Sequence, residues 1–323
     1  MENEKCEMKN GKSGFFLPLF PFFPVPLFPY DVRMTRAWQI SGGQTLPIGE
    51  RTLVMGVLNV TPDSFSDGGE FFSLENALAH AEQMIAEGAD IIDVGGESTR
   101  PGGTAIVSSE EELRRILPVI RELAKRSGVP ISVDTTKASV ARAALDAGAS
   151  IVNDIAGLRF DSRIADEAAK SGAGLVLMHS RGTPGALHGL PPVSDIIARV
   201  VKSLRSSITL AERRGVKRES IVIDPGIGFG KSQEQNLELI AKLDQLVAAF
   251  PDFPVLIGTS RKSFIGRILA DDNGNVAPAN ERLHGSLATL TAAILKGAAI
   301  VRVHDVKAAV ETSKIVKEIA RLT

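Results

Sequence analysis

From position 53 onward, short apolar runs alternate with longer amphipathic segments. The runs occupy residues 53–58, 91–94, 131–133, 151–152, 175–178, 221–223, 255–257 and 300–303. They are short, rich in Ile and Val, and bounded by turn-forming residues, the pattern of strands buried on both faces. Between them, apolar positions recur at helical spacing over 74–87, 110–126, 138–147, 194–214, 236–250 and 283–296, and 307–321 closes the chain in the same way. Strands separated by helices make parallel βαβ units. Eight such repeats predict an α/β protein of the (β/α)8 TIM-barrel class over residues 34–323. A doubly wound open sheet is the competing architecture, because periodicity alone does not report closure. Gly-Ala pairs at Gly88, Gly148, Gly172 and Gly297 each precede a strand, and the glycine is expected to stop the helix before it.

Residues 1–33 break this pattern, since the stretch 15–29 alone holds six of the fourteen phenylalanines and five prolines. A lysine-bearing start followed by apolar residues imitates a signal peptide or anchor. Prolines at 18, 21, 24, 26 and 29 would each cost a helical hydrogen bond in lipid, and no small-residue cleavage site follows. The expectation is a disordered N-terminal extension or the product of an upstream start, with Met34 as the alternative start and a membrane tether as the competing reading.

Composition narrows the partners. With 37 basic and 38 acidic side chains the formal charge is −1, so nothing in the overall balance draws the chain to nucleic acid or an anionic membrane. Small-molecule ligands are expected instead. Cys6 is the only cysteine, which excludes an intramolecular disulfide and thiolate metal clusters, and a reducing cytoplasm is expected.

In a closed barrel the active site lies at the C-terminal strand ends. The residues that fall there are Asn59, Asp93, Asp134, Asn153, Asp154, His179, Asp224, Ser260, Lys262, Arg302 and His304. Each alone could simply cap the following helix or form a structural ion pair. Asp134, Asn153 and Asp224 together could recognise a flat heterocycle that presents N–H donors and ring acceptors, or could hold a metal. Arg302 and His304 stand two apart on the last strand, and Asp305 is placed to cap the next helix, so that strand end and helix N-terminus would form an anion site. Lys262 leaves open a Schiff-base aldolase, which would also put a lysine at a strand end.

Three segments carry the most specific signal. Asn59-Val-Thr-Pro-Asp-Ser-Phe-Ser-Asp-Gly-Gly69 puts an amide, two carboxylates and three hydroxyls on one loop; Gly95-Gly-Glu-Ser-Thr-Arg-Pro-Gly102 is a second polar loop; Ser260-Arg-Lys-Ser263 follows the seventh strand. Together they resemble the dihydropteroate synthase family of pterin-binding enzymes, from about residue 52 to the C-terminus. The resemblance implies a folate-pathway transferase that joins a pterin diphosphate to p-aminobenzoate, with sulfonamides as inhibitors. It also implies a homodimer, whose seam would use the apolar faces of 283–295 and 306–319.

By the same resemblance, Asp134, Asn153, Asp224 and Lys262 contact the pterin, while Arg302 and His304 hold the diphosphate; Asp134, Lys262, Arg302 and His304 would carry the chemistry. Asn59 matches the ligand of a Mg²⁺ cofactor. Phe65, Asp67, Thr99, Arg100 and Pro101 would build the p-aminobenzoate pocket, Thr99 also reaching the pterin, and Ser263 would sit near the p-aminobenzoate carboxylate. Residues 180–190 depart from the common version of their loop, so the resemblance implies no contacts for that loop. Replacing Arg302 is expected to impair turnover with folding intact. A methyltetrahydrofolate:corrinoid methyltransferase, a barrel with similar pterin-edge carboxylates, and a non-catalytic pterin-binding protein are the alternatives.

Overall fold

The computed structural model describes residues 36–61, 69–97, 107–183 and 190–322. The N-terminal extension and five expected site residues, Phe65, Asp67, Thr99, Arg100 and Pro101, lie outside the described residues. The chain opens with an antiparallel hairpin, β1 (Arg36–Gln39) and β2 (Thr45–Ile48), which the apolar pattern had not disclosed. The eight anticipated strands follow: β3 (Leu53–Asn59), β4 (Ile91–Gly95), β5 (Ile131–Asp134), β6 (Ile151–Asp154), β7 (Gly174–Met178), β8 (Ile221–Asp224), β9 (Leu256–Ile257) and β10 (Ile300–Val303).

These eight pair in parallel in the order β8-β7-β6-β5-β4-β3-β10-β9. A parallel bridge between Ile223 and Val255, with the Ile223 amide donating to the Pro254 carbonyl at 3.0 Å, joins the two ends of that sheet. The barrel is therefore closed, and the open sheet is set aside. β9 spans only two residues, with Val255 before it paired to Ile223 by this isolated bridge.

Among the described residues, ten α-helices surround the barrel: α1 (Gly69–Ala86), α2 (Ser109–Arg126), α3 (Ala138–Asp146), α4 (Ile164–Ser171), α5 (Ile196–Arg213), α6 (Gln233–Ala241), α7 (Leu243–Ala249), α8 (Ser263–Ile268), α9 (Leu283–Leu295) and α10 (Val306–Ala320). The segment expected as one helix over 236–250 is two, broken at Lys242, whose φ is −110°. α4 escaped the periodicity because its eight residues bury only Ile164, Ala165 and Ala168. The four glycines of the Gly-Ala pairs have φ of 102°, 113°, 64° and 97°, so each does end a helix in a conformation that favours glycine.

The main core lies between the strands and the helices, and a second cluster fills the N-terminal mouth of the barrel. There Trp38, Ile40 and Ile48 of the hairpin pack on Leu53, Met55, Ile91, Ile151, Val176, Val222, Leu256 and Ile300. Trp38 Nε1 donates to the Ser220 carbonyl at 2.9 Å, which satisfies the one polar atom this plug would otherwise bury unpaired. A Cβ on Gly174 would lie 3.0 Å from the indole ring, so the plug also requires a bare backbone at the start of β7. With one mouth sealed, chemistry is confined to the other. No described helix is long and apolar enough to cross a membrane.

Candidate active site

At the open mouth, a buried charge network crosses the barrel. Arg302 on β10 donates from Nε to Asp93 Oδ2 on β4 at 2.7 Å and from Nη2 to Asp134 Oδ2 on β5 at 2.8 Å. Asn153 Nδ2 on β6 donates to the same Asp93 oxygen at 3.0 Å. Asp93 is fully buried, and its Oδ1 has no partner among the described residues. Burial disfavours the ionised form of Asp134, and nearby Asp93 and Glu112 add to this; Arg302 opposes them, and the carboxyl is pushed up to about 7. Burial alone would lower the Arg302 guanidinium, but Asp93 and then Asp134 outweigh it and raise it.

This network changes the expected role of Arg302. An arginine serving only an incoming anion could be replaced with folding intact, whereas this one also compensates a buried carboxylate. Three of its five N–H groups remain beyond the two committed bonds. They can meet a ligand without breaking the network.

Asp224 ends β8 and accepts a bond from the Gly226 amide at 2.6 Å. Gly226 has φ of +69°, and a Cβ there would stand 1.9 Å from the His179 carbonyl, so no other residue fits. Burial raises the Asp224 carboxyl to about 6 against the pull of the Gly226 amide and Lys262. Lys262 precedes α8 and sets its Nζ 4.1 Å from the centroid of Phe229, a cation–π contact. Burial and then Arg302 lower its ammonium to about 8, with Asp224 and Asp134 opposing. Lys262 is therefore still mostly protonated near neutrality, with Asp224 and Asp134 favouring the charged form.

His304 follows β10, with Nδ1 3.1 Å from Ser260 Oγ, which also accepts from the His304 amide at 3.2 Å. Burial and then Arg302 push the imidazole down to about 3, so the ring is neutral. With Ser260 donating to Nδ1, the neutral tautomer carries its proton on Nε2 and can act as a hydrogen-bond donor. Asp305 does not cap α10 as expected, since no side-chain cap bond forms. It pairs instead with Arg261, Nη2 to Oδ1 at 2.5 Å and Nε to Oδ2 at 3.0 Å. Arg261 itself has φ of +58° and holds that turn in place.

Among the other expected residues, Ser263 begins α8 and accepts from Arg267 Nη1 at 3.3 Å. Asn59 closes β3, and a Cβ built on Gly95 would lie 3.9 Å from its Oδ1 and 3.6 Å from Asp134 Cβ, so the amide oxygen shares a corner of the mouth with Asp134. Helix capping does not account for the carboxylates: the residues preceding α3, α4 and α6 are Lys137, Arg163 and Ser232. Asp154 does have a local task, accepting from the Ala156 and Leu158 amides at 2.9 and 2.5 Å.

The importance of Lys231 and Phe229 was not legible beforehand. Lys231 is buried and donates to the carbonyls of His179, Gly226 and Phe229 at 3.2, 2.6 and 3.2 Å, which ties down the turn that presents Phe229 to Lys262. The signal was present as alternating glycines at 226, 228 and 230 between Asp224 and Lys231. Beside the mouth, Lys137 Nζ bridges Glu97 and the buried Glu112, at 2.6 Å each.

A TIM barrel sealed at one mouth and lined at the other by paired carboxylates, an amide and three cations or donors defines an enzyme-type site for a polar, anionic heterocycle. Residues 55–304 match the family described as pterin binding enzyme, and the chain belongs to that family. It is 48% identical over 274 residues to the dihydropteroate synthase of Synechocystis, covering 84% of this chain and 92% of that one. Among solved structures it resembles dihydropteroate synthase from Clostridium difficile in the presence of pteroic acid, with TM-score 0.78, 45% identity, and coverage of 84% and 98%. It likewise resembles the Xanthomonas albilineans dihydropteroate synthase with 4-aminobenzoic acid, with TM-score 0.79, 41% identity, and coverage of 88% and 98%.

Proposed function

We infer that this chain condenses 6-hydroxymethyl-7,8-dihydropterin diphosphate with p-aminobenzoate, forming 7,8-dihydropteroate and diphosphate. The observation that carries the reading is the convergence of Asp134, Asn153, Asp224, Lys262 and Arg302 on one mouth of the barrel, in a chain 48% identical to a dihydropteroate synthase. The carboxylates and amide would bind the N–H and ring-nitrogen edge of the pterin. Lys262 would also contact the pterin, and the free N–H groups of Arg302 and neutral His304 would face the diphosphate.

In the reaction the aryl amine nitrogen bonds to the pterin methylene carbon, the bond from that carbon to the diphosphate oxygen breaks, and the amine proton leaves to solvent. The amine is neutral near pH 7, so the larger task is stabilising the departing charge. Positive charge that spreads into the pterin would be met by Asp134 beside the ring, which favours a dissociative step. The p-aminobenzoate would sit against Ser263 and under Phe65, Asp67, Thr99, Arg100 and Pro101.

A Mg²⁺ ion fits the donor chemistry if Asn59 supplies one oxygen. No group of three His, Cys, Asp or Glu residues gathers as a metal cage among the described residues, so the other ligands would be phosphate oxygens and water, as is normal for this ion. When bound, it would neutralise part of the diphosphate charge. We also place a second copy of the chain on α9 and α10, where Ile315 and Ile319 are 64% and 53% exposed; sedimentation of the full chain as a monomer would remove that partner. The setting we propose is cytoplasmic, without nucleic-acid or membrane partners.

The test is diphosphate release after mixing enzyme, Mg²⁺ and both substrates. Release that depends on p-aminobenzoate, with matching formation of dihydropteroate, is the expected result; pterin binding without release would favour the non-catalytic reading. A corrinoid methyltransferase has no use for a diphosphate site, so the same assay separates it.

A further inference from the structure

We propose a second anion site, outside the barrel mouth, that binds a phosphate group in the groove between α5 and the chain segments following β6 and β7. The groove encloses about 600 Å³ and is built by Arg159 after β6, by His179 and Arg181 after β7, and by Arg199, Lys202 and Ser203 on α5. Positions 199, 202 and 203 are spaced i, i+3, i+4 and therefore share one helix face.

Four cations meet here, and the buried Asp154 is a carboxylate that acts on Arg159. None of Arg159, Arg181, Arg199 or Lys202 is in an ion pair among the described residues. Asp154 is buried and accepts from the Ala156 and Leu158 amides, so it acts on Arg159 without forming an ion pair with it. Neighbouring positive charges disfavour one another: Arg159 is lowered by burial and by Arg199, with Asp154 opposing.

Arg159 and Arg181 are also held in place by neutral acceptors. Arg159 donates to Ser180 Oγ at 2.8 Å and to the Gly182 carbonyl at 3.1 Å, and Arg181 donates to the Gly230 carbonyl at 2.8 Å. A second observation points to a ligand independently of charge. His179 is only 2% exposed, lines the groove, and has no partner for Nδ1. A buried ring nitrogen without a partner is uncommon. Burial, Lys231 and Arg159 keep this imidazole neutral, and its bond to the Pro225 carbonyl engages the other nitrogen as donor, which leaves Nδ1 as an acceptor. A hydrogen phosphate offers both the negative oxygens that the guanidinium groups need and an O–H for such an acceptor. Free phosphate and a phosphate ester share this chemistry.

The site is separate from the proposed reaction, and its test reads binding alone. Inorganic phosphate and glycerol phosphate are titrated by calorimetry into the full chain and into R199Q/K202Q, both positions being exposed on α5. The variant is expected to lose one class of phosphate site, or to bind it at least tenfold more weakly, with unchanged thermal unfolding and unchanged diphosphate release. The charge-conserving R199K/K202R should retain the site. Tighter binding of the ester would mark a phosphorylated metabolite as the natural occupant, and equal or weaker binding would mark free phosphate. Superimposable phosphate isotherms for wild type and R199Q/K202Q would overturn the proposal.

Discussion

Replacing Arg302 by Gln should damage the fold and the chemistry by separable amounts. In the folded chain the guanidinium bonds both the fully buried Asp93 and the nearly buried Asp134. Removing one partner from a buried ion pair costs about 3–5 kcal/mol, mainly because a charge is left uncompensated. Asp134, already pushed up to about 7, escapes most of this by taking a proton near neutrality. Among the described residues Asp93 keeps only Asn153 as a partner, so the lower end of the range, about 3 kcal/mol, is expected. Converting that carboxylate to an amide should relieve the penalty, and R302Q/D93N should regain half or more of the lost stability. The catalytic loss should not be regained. By analogy with removing one preorganised donor from an oxyanion site, kcat should fall about 10²–10³-fold, or roughly 3–4 kcal/mol, in both variants. Urea unfolding measures the first quantity and diphosphate release the second. Wild-type stability in R302Q, or strictly additive destabilisation in the double variant, would refute the coupling of Arg302 to Asp93.

Trp38→Ala should destabilise the barrel by about 3–5 kcal/mol, whereas deletion of residues 1–33 should leave the unfolding midpoint unchanged; equal effects would contradict the plug. Asp224 has a folded pKa raised to about 6, so the free chain loses stability as pH rises from the usual carboxylate range through 6, and the penalty persists above it. Pterin N–H groups need the ionised form, so pterin affinity should rise through the same window. Asp224→Asn should abolish that rise and weaken binding roughly 10–100-fold, the worth of a hydrogen bond to a charged group; fluorescence titration from pH 5 to 8 would show it. Lys262, lowered to about 8, should lose its charge above that pH, and with it kcat; a Lys262→Gln variant whose rate still falls there would point to another group. Sulfonamides share an aryl amine and an anionic group with p-aminobenzoate and should compete with it in steady-state kinetics, and purely noncompetitive inhibition would argue against a shared pocket.

What the sequence determined by itself is local in origin. Strand and helix periods repeat along the chain, glycine can end a helix in a conformation other residues avoid, and polar residues follow apolar runs, so eight strands and most of the residues at their C-terminal ends could be read from 53 onward. Tertiary structure decided whatever joins distant parts of the chain. Closure rests on one bridge between Ile223 and Val255; the plug joins Trp38 to Ser220, 182 residues away; and Arg302 meets Asp93 across 209 residues. No period reports such pairings, because a buried charge selects its counterion by proximity in space. Asp305 shows the same limit from the other side: its position suggested a helix cap, but in the fold the guanidinium of Arg261 claims both carboxylate oxygens.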